Sequence, residues 1–208
     1  MRIRLVPVAL LVVAALALAA CGGDGTNTST TQVPGKTPHV AINTGYAQLD
    51  AVLGGTLASD TIDMAERTRY QSVACQPGAT QDADAAPCRP DESAGSQVDA
   101  FPSVRCNDRW TRPEAVPDLY AAAIGTSPKL LAAYIPAPGA VRFGAQFVAV
   151  IQRGANQGAA VYVGDGKIVA VEEDCGNFTG LIAQDRVQSW IVQPGATPGG
   201  TPAATTAP

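Results

Sequence analysis

Apolar positions are spread unevenly along the chain, and their spacing divides it into four zones. Leu5 to Ala20 is an apolar run interrupted by Pro7 and preceded by Arg2 and Arg4. Gly22 to Pro38 is built largely of Gly, Asp, Asn, Ser and Thr, with almost no apolar side chain. From Val40 to Gln193 apolar residues return with helical and strand periods, over a length that suits one domain. Pro194 to Pro208 is Pro, Gly, Ala and Thr and reads as a disordered tail.

Within the third zone the pattern predicts helices first and strands later. Tyr46, Leu49, Val52 and Leu53 share one helical face, with Asn43 or Thr44 as a cap and Gly54-Gly55 as a stop. A second short helix is expected from Asp60, with Asp63 in its first turn to suit the dipole. Tyr70 to Cys75 reads as extended and Gln76 to Ser96 as loop. Gln97 to Cys106 alternates as a strand, with Pro102 marking an edge or bulge. Thr111-Arg112-Pro113-Glu114 looks like a capping box, but Pro117 moves the expected helix to Pro117–Ile124, closed by Gly125.

Strands are then expected at Leu130–Ile135, Val141–Gln152, Ala159–Val163 and Lys167–Val171. The last two flank Gly164-Asp165-Gly166, the strongest hairpin signal in the chain. Thr179 to Val187 reads as a short helix and Ser189 to Val192 as a final extended segment. Helices followed by antiparallel strands define an α+β plan, N-terminal helices packed on a curved sheet.

The first zone has the layout of an export signal: positive end, apolar core, small residues before a cut. Its apolar stretch is short of the ~20 residues that span a bilayer. Leu18-Ala19-Ala20-Cys21 resembles the lipobox of bacterial lipoproteins. That resemblance implies removal of residues 1–20 and a lipid on Cys21. It places the protein outside the cytoplasm, lipid-anchored to the cell membrane, with residues 21–39 as a flexible tether.

Charge and cysteine usage narrow the classes. Loss of residues 1–20 removes Arg2 and Arg4, so 12 basic residues face 18 acidic ones and the formal charge is −6. This disfavours a nucleic-acid partner and an electrostatic grip on anionic headgroups. Apart from Cys21, Cys75, Cys88, Cys106 and Cys175 remain, an even number that argues for two disulfides outside the cytoplasm. Three pairings are possible, and Cys75–Cys88 with Cys106–Cys175 is preferred. The first closes a Gly/Ala/Asp/Pro-rich loop; the second ties the middle of the domain to its last strands. Zinc-ligand spacing is missing, so no metal is expected.

Element order over residues 43–193 resembles the NTF2-like or cystatin-like cone, and is similar to uncharacterised bacterial lipoproteins with a cysteine-closed loop after two helices. NTF2-like enzymes pair a carboxylate with a tyrosine or histidine inside the cone. The resemblance therefore implies candidates among Asp108, Asp118, Glu172 and Asp174, with Tyr120, Tyr134 or Tyr162. Nothing in the sequence fixes one of these carboxylates in an apolar pocket, as a raised pKa would require.

Other chemistry is sparse. The single histidine, His39, lies in the tether, where a solvated linker residue is expected. Glu172-Glu173-Asp174 would place Glu172 and Asp174 on one strand face, and reads as a solvated strand end rather than a cation site. Trp110, beside Arg109 and Arg112, is the candidate binding anchor; Trp190 reads as core. The Gly pairs lack the strand–loop–helix setting of a phosphate cradle. No catalytic residue, cofactor or metal is assigned. The leading expectation is a non-enzymatic envelope domain that binds a small ligand or an envelope protein. An NTF2-like enzyme doing acid–base chemistry on a small hydrophobic substrate, and a structural spacer or assembly factor, are the alternatives.

Overall fold

The computed structural model describes residues 38–78, 85–104, 110–174, 176 and 178–195. The expected signal segment, Cys21, Asp108 and Arg109 lie outside these residues, as do most of the expected tether and C-terminal tail. So do Cys106 and Cys175, and with them the second expected disulfide.

The first helix, α1, spans Ala47–Leu57 and buries Leu49, Val52 and Leu53. Its start differs from expectation. Asn43 Oδ1 accepts from Gly45 N (3.1 Å) and Thr44 Oγ1 from Tyr46 N (3.3 Å), so both side chains close turns ahead of the helix instead of capping it. Nor do Gly54 and Gly55 end it. A Cβ on Gly55 would collide with the Asp63 carboxylate, so the glycine is required by close packing of α1 on the second helix. That helix, α2, spans Thr61–Glu66 and starts as expected, with Asp60 Oδ1 accepting from Asp63 N at 3.0 Å.

Next come β1 (Gln71–Gln76) and β2 (Ala86–Pro87); the expected disulfide links Cys75 in β1 to Cys88 just after β2, Cα atoms 4.9 Å apart. Then β3 (Gln97–Val104) and β4 (Trp110–Thr111) are antiparallel. Pro113 opens a 3-10 turn that leads into α3, Val116–Ile124, with Gly125 at positive φ closing it. The prolines thus sit where a helix lacks N–H partners anyway.

Four long strands follow: β5 (Lys129–Pro136), β6 (Phe147–Gly154), β7 (Gln157–Gly164) and β8 (Lys167–Glu173). The expected hairpin forms, with Gly164 opposite Lys167 and both Asp165 (φ 51°) and Gly166 (φ 69°) left-handed. The strand expected from Val141 starts only at Phe147, because residues 141–144 are exposed and form a turn. The helix expected at Thr179–Val187 is replaced by two 3-10 turns, Phe178–Ile182 and Gln184–Arg186, before β9 (Val187–Val192). Gly180 interrupts a segment too short for a stable α-helix.

The sheet runs β2-β1-β3-β8-β7-β6-β5-β9, with β4 on β3. It is mostly antiparallel; β1 with β2 and β3 with β8 are parallel. Alternation sorts its side chains. Ala149, Ile151, Val161 and Val163 face α1–α3 in one core, while Val148, Val150, Ala160 and Tyr162 lie in a second cluster beneath Leu181. Burial on both faces explains why β6 and β7 read as near-continuous apolar runs. The α+β plan with helices on a sheet therefore holds. No helix among the described residues is long and apolar enough to cross a membrane.

Candidate functional site

Polar chemistry gathers on the sheet face away from the helices. There β7 carries Tyr162 and β8 carries Glu172, diagonal neighbours because Ala160 pairs with Glu172 and Tyr162 with Ala170. The Tyr162 hydroxyl donates to Glu172 Oε2. Arg186, at the end of the second 3-10 turn, grips the same carboxylate in a fork, Nη2 to Oε2 at 2.5 Å and Nη1 to Oε1 at 3.3 Å. Its Nη2 also donates to the Tyr162 hydroxyl (2.6 Å) and its Nη1 to the Gly180 carbonyl (3.1 Å). Arg142 Nη1 stands 3.8 Å from Glu172 Oε2. Tyr134 on β5 donates to the Leu181 carbonyl at 3.0 Å.

Electrostatics close this set rather than prime it. Burial would raise the Glu172 carboxyl, but hydrogen bonds from Arg186 and Tyr162 and the charges of Arg186 and Arg142 outweigh it and hold the group below the ordinary carboxylate range. Burial first, then the Glu172 charge, pushes the Tyr162 phenol far up. Burial likewise pushes Tyr134 up to about 12. At neutral pH the cluster holds an ionised acid, neutral phenols and a charged guanidinium. None of these groups is poised to exchange a proton near pH 7.

Beside the cluster lies an open cleft of about 280 Å³, lined by Val104, the Glu172–Asp174 run, Gly180, Leu181 and Arg186. The acidic run is split across the sheet. Glu172 joins the cluster, whereas Glu173 lies 3.8 Å from Arg153, whose guanidinium donates to Ala122 of α3 on the helix side. Among the described residues no group of three or more His, Cys, Asp or Glu could hold a metal.

The other candidates fall elsewhere. Trp110 is half-buried, packs beside the Cys75–Cys88 cluster and meets the Phe143 ring edge-on at 6.4 Å. Arg112 is largely buried and pairs with Glu92 at 2.5 Å, while Arg89 pairs with Glu114 at 2.6 Å. Both pairs tie the segment just after Cys88 to the 3-10 turn that precedes α3, and Arg112 spends one guanidinium nitrogen on Glu92. Asp118 is exposed. Tyr120 is buried on the helix side, 2.5 Å from Thr68 Oγ1, so these two do not pair. His39 is not simply solvated: its Nε2 lies 3.6 Å from buried Asp63, which Arg67 also holds at 2.7 Å. Of the carboxylate–tyrosine candidates, the fold brings together Glu172 and Tyr162, with Tyr134 close by.

Sequence reasoning did not single out Arg186 and Arg142. Each lies distant in sequence from Glu172, and only the folding of residues 137–146 and 178–186 over the sheet brings them near. A single arginine directly before the apolar β9 segment was the one available signal for Arg186. Comparison with protein families, curated proteins and solved structures finds no match.

Proposed function

We propose that this chain is a lipid-anchored extracytoplasmic protein whose domain binds a small ligand or an envelope partner without catalysing a reaction. The lipobox at Leu18-Ala19-Ala20-Cys21 supports the anchor. The carrying observation for a non-catalytic domain is that Glu172, Arg186 and Tyr162 satisfy one another. Their charges are fixed at neutral pH, which suits a rigid binding face better than acid–base chemistry.

An NTF2-like enzyme is the second reading, and the Tyr162–Glu172 contact favours it. That reading needs the pair in a cavity beneath the helices. The pair lies on the opposite sheet face, and Leu49, Leu53, Met64, Tyr120 and Ile151 occupy the space under the helices. A spacer or assembly role fits the acidic domain and its disulfide but uses no feature of the cleft.

Two measurements test the proposal. Mass spectrometry of the membrane-extracted protein should find a diacylglyceryl group on Cys21, and Cys21→Ser should move the protein to the soluble fraction with its melting temperature unchanged. A photoreactive side chain at position 142, beside the cleft cluster, should capture one defined ligand or partner in cells. Capture of nothing favours the spacer reading. Turnover of a small hydrophobic substrate that Glu172→Gln abolishes would overturn the non-catalytic reading.

A further inference from the structure

Residues 38–46 form a strap along α1, and a segment held by few contacts is among the first to open. Tyr46 anchors one end by packing on Phe147 at 5.0 Å. Ahead of it, Thr44 N donates to Asp50 Oδ1 of α1 at 2.8 Å, Ile42 is half-buried against the core, and Val40 N donates to the Gly54 carbonyl at 3.2 Å. At the other end His39 reaches α2, where its Nε2 lies 3.6 Å from Asp63 Oδ2. The Gly54-Gly55 pair builds the seat. A Cβ on Gly54 would stand 3.3 Å from the Val40 carbonyl oxygen and 3.4 Å from His39 Cβ, and one on Gly55 would collide with the Asp63 carboxylate. Gly54 thus lets the strap close on α1, and Gly55 lets Asp63 do the same.

The charges around this seat favour a further cation. Asp60 and Asp63 are both buried. Asp60 Oδ1 accepts from Asp63 N, while its Oδ2 is buried without a partner. Against these two carboxylates stands Arg67, whose Nε is 2.7 Å from Asp63 Oδ2. The remaining charged residue of α2 is Glu66, and that of α1 is Asp50. So the two helices that His39 touches present four carboxylates and one guanidinium. A protonated His39 adds the second cation; a neutral one does not. Imidazole is the side chain whose ordinary charge change falls between pH 5 and 8, and His39 is the one histidine of the chain.

We propose that His39 and Asp63 form a proton-dependent latch that closes residues 38–45 on α1 in mildly acid solution and releases them in mildly alkaline solution. The ion pair exists only while the imidazole carries its proton, so it holds on the acid side and lapses as pH rises. Arg67 keeps Asp63 paired when the strap leaves, so opening does not strand a buried charge. Opening uncovers α1 around Gly54 and lets Pro38 move by up to about 25 Å, the span of eight extended residues. The latch requires neither a lipid on Cys21 nor an occupant of the cleft.

The test follows amide exchange of Thr44 by NMR in the full chain from pH 5.5 to 8, in the parent and in His39→Gln. Thr44 is remote enough in sequence from the substitution to keep the same intrinsic exchange in both proteins. The ratio of the two rates at one pH therefore reads how far the strap opens. The parent-to-variant ratio should rise about two- to five-fold from pH 5.5 to pH 8, the worth of a partly exposed ion pair. Repeated in an Asp63→Asn background, the ratio should stay flat. A flat ratio in the first comparison means that His39 only packs against Gly54, and it overturns the latch. An undiminished rise in the Asp63→Asn background overturns it too, because the proton would then act through another partner. The His39→Gln comparison decides the proposal even if Asp63→Asn does not fold.

Discussion

Arg186→Met should destabilise the domain by about 2–4 kcal/mol. The arginine and Glu172 side chains are each only 15% exposed, and the arginine makes four hydrogen bonds, to both oxygens of Glu172, to Tyr162 and to the Gly180 carbonyl. Removing it leaves a mostly buried carboxylate with only the Tyr162 hydroxyl and a guanidinium 3.8 Å away. Breaking a buried pair costs about 3–5 kcal/mol, and the residual exposure here reduces that figure. For a domain of this size the expected fall in melting temperature is roughly 5–12 °C. Glu172→Met and the double variant complete a cycle in urea, where the double variant should recover much of the loss and give a coupling energy above about 1.5 kcal/mol. The pH dependence has a definite sign. Glu172 sits below its unfolded value, so its contribution is full above the unfolded pKa of about 4.3 and is lost as pH falls through the lower folded value. The parent protein should lose this contribution below about pH 4, and the double variant should not. A cost for Arg186→Met under 1 kcal/mol, or zero coupling, would refute the idea that this network clamps residues 178–186 to the sheet.

Three further outcomes follow from the same geometry. Opening the Cys75–Cys88 bridge by Cys88→Ser should lower stability by about 3 kcal/mol from loop entropy, read as a shift of the urea midpoint. Gly55→Ala should cost at least about 2 kcal/mol, because its methyl would enter the space of the buried Asp63 carboxylate; an unchanged melting temperature would mean that α1 and α2 are not tightly packed there. Peptide mapping of the non-reduced protein should find Cys106 joined to Cys175, since the chain leads to them from Val104 and Glu172, which are register partners in the parallel β3–β8 pair; a link from Cys106 to either of Cys75 and Cys88 contradicts it.

Local signals survived into the structure where a short stretch decides its own conformation. The Asp165-Gly166 hairpin, the Asp60 cap and the break at Gly125 are such cases. Signals failed where packing outvoted them. Gly54-Gly55 reads as a helix stop, yet the helix runs on to Leu57, and Gly55 is a glycine because the Asp63 carboxylate leaves no room for a Cβ. Val141–Gln146 has strand-like composition, but its backbone turns and leaves Val141 and Phe143 outside.

The same division holds for the site. Sequence alone determined the α+β order and the apolar runs of β6 and β7, because period and composition are local properties. It also supplied Glu172 and Tyr162 as candidates without joining them. Only the tertiary structure joined them, since strand register set their diagonal and the folded-over 3-10 segment delivered Arg186. It likewise paired Arg112 with Glu92, twenty residues away in sequence. Long-range pairing of charges depends on which chain segments become neighbours, and no local pattern records that.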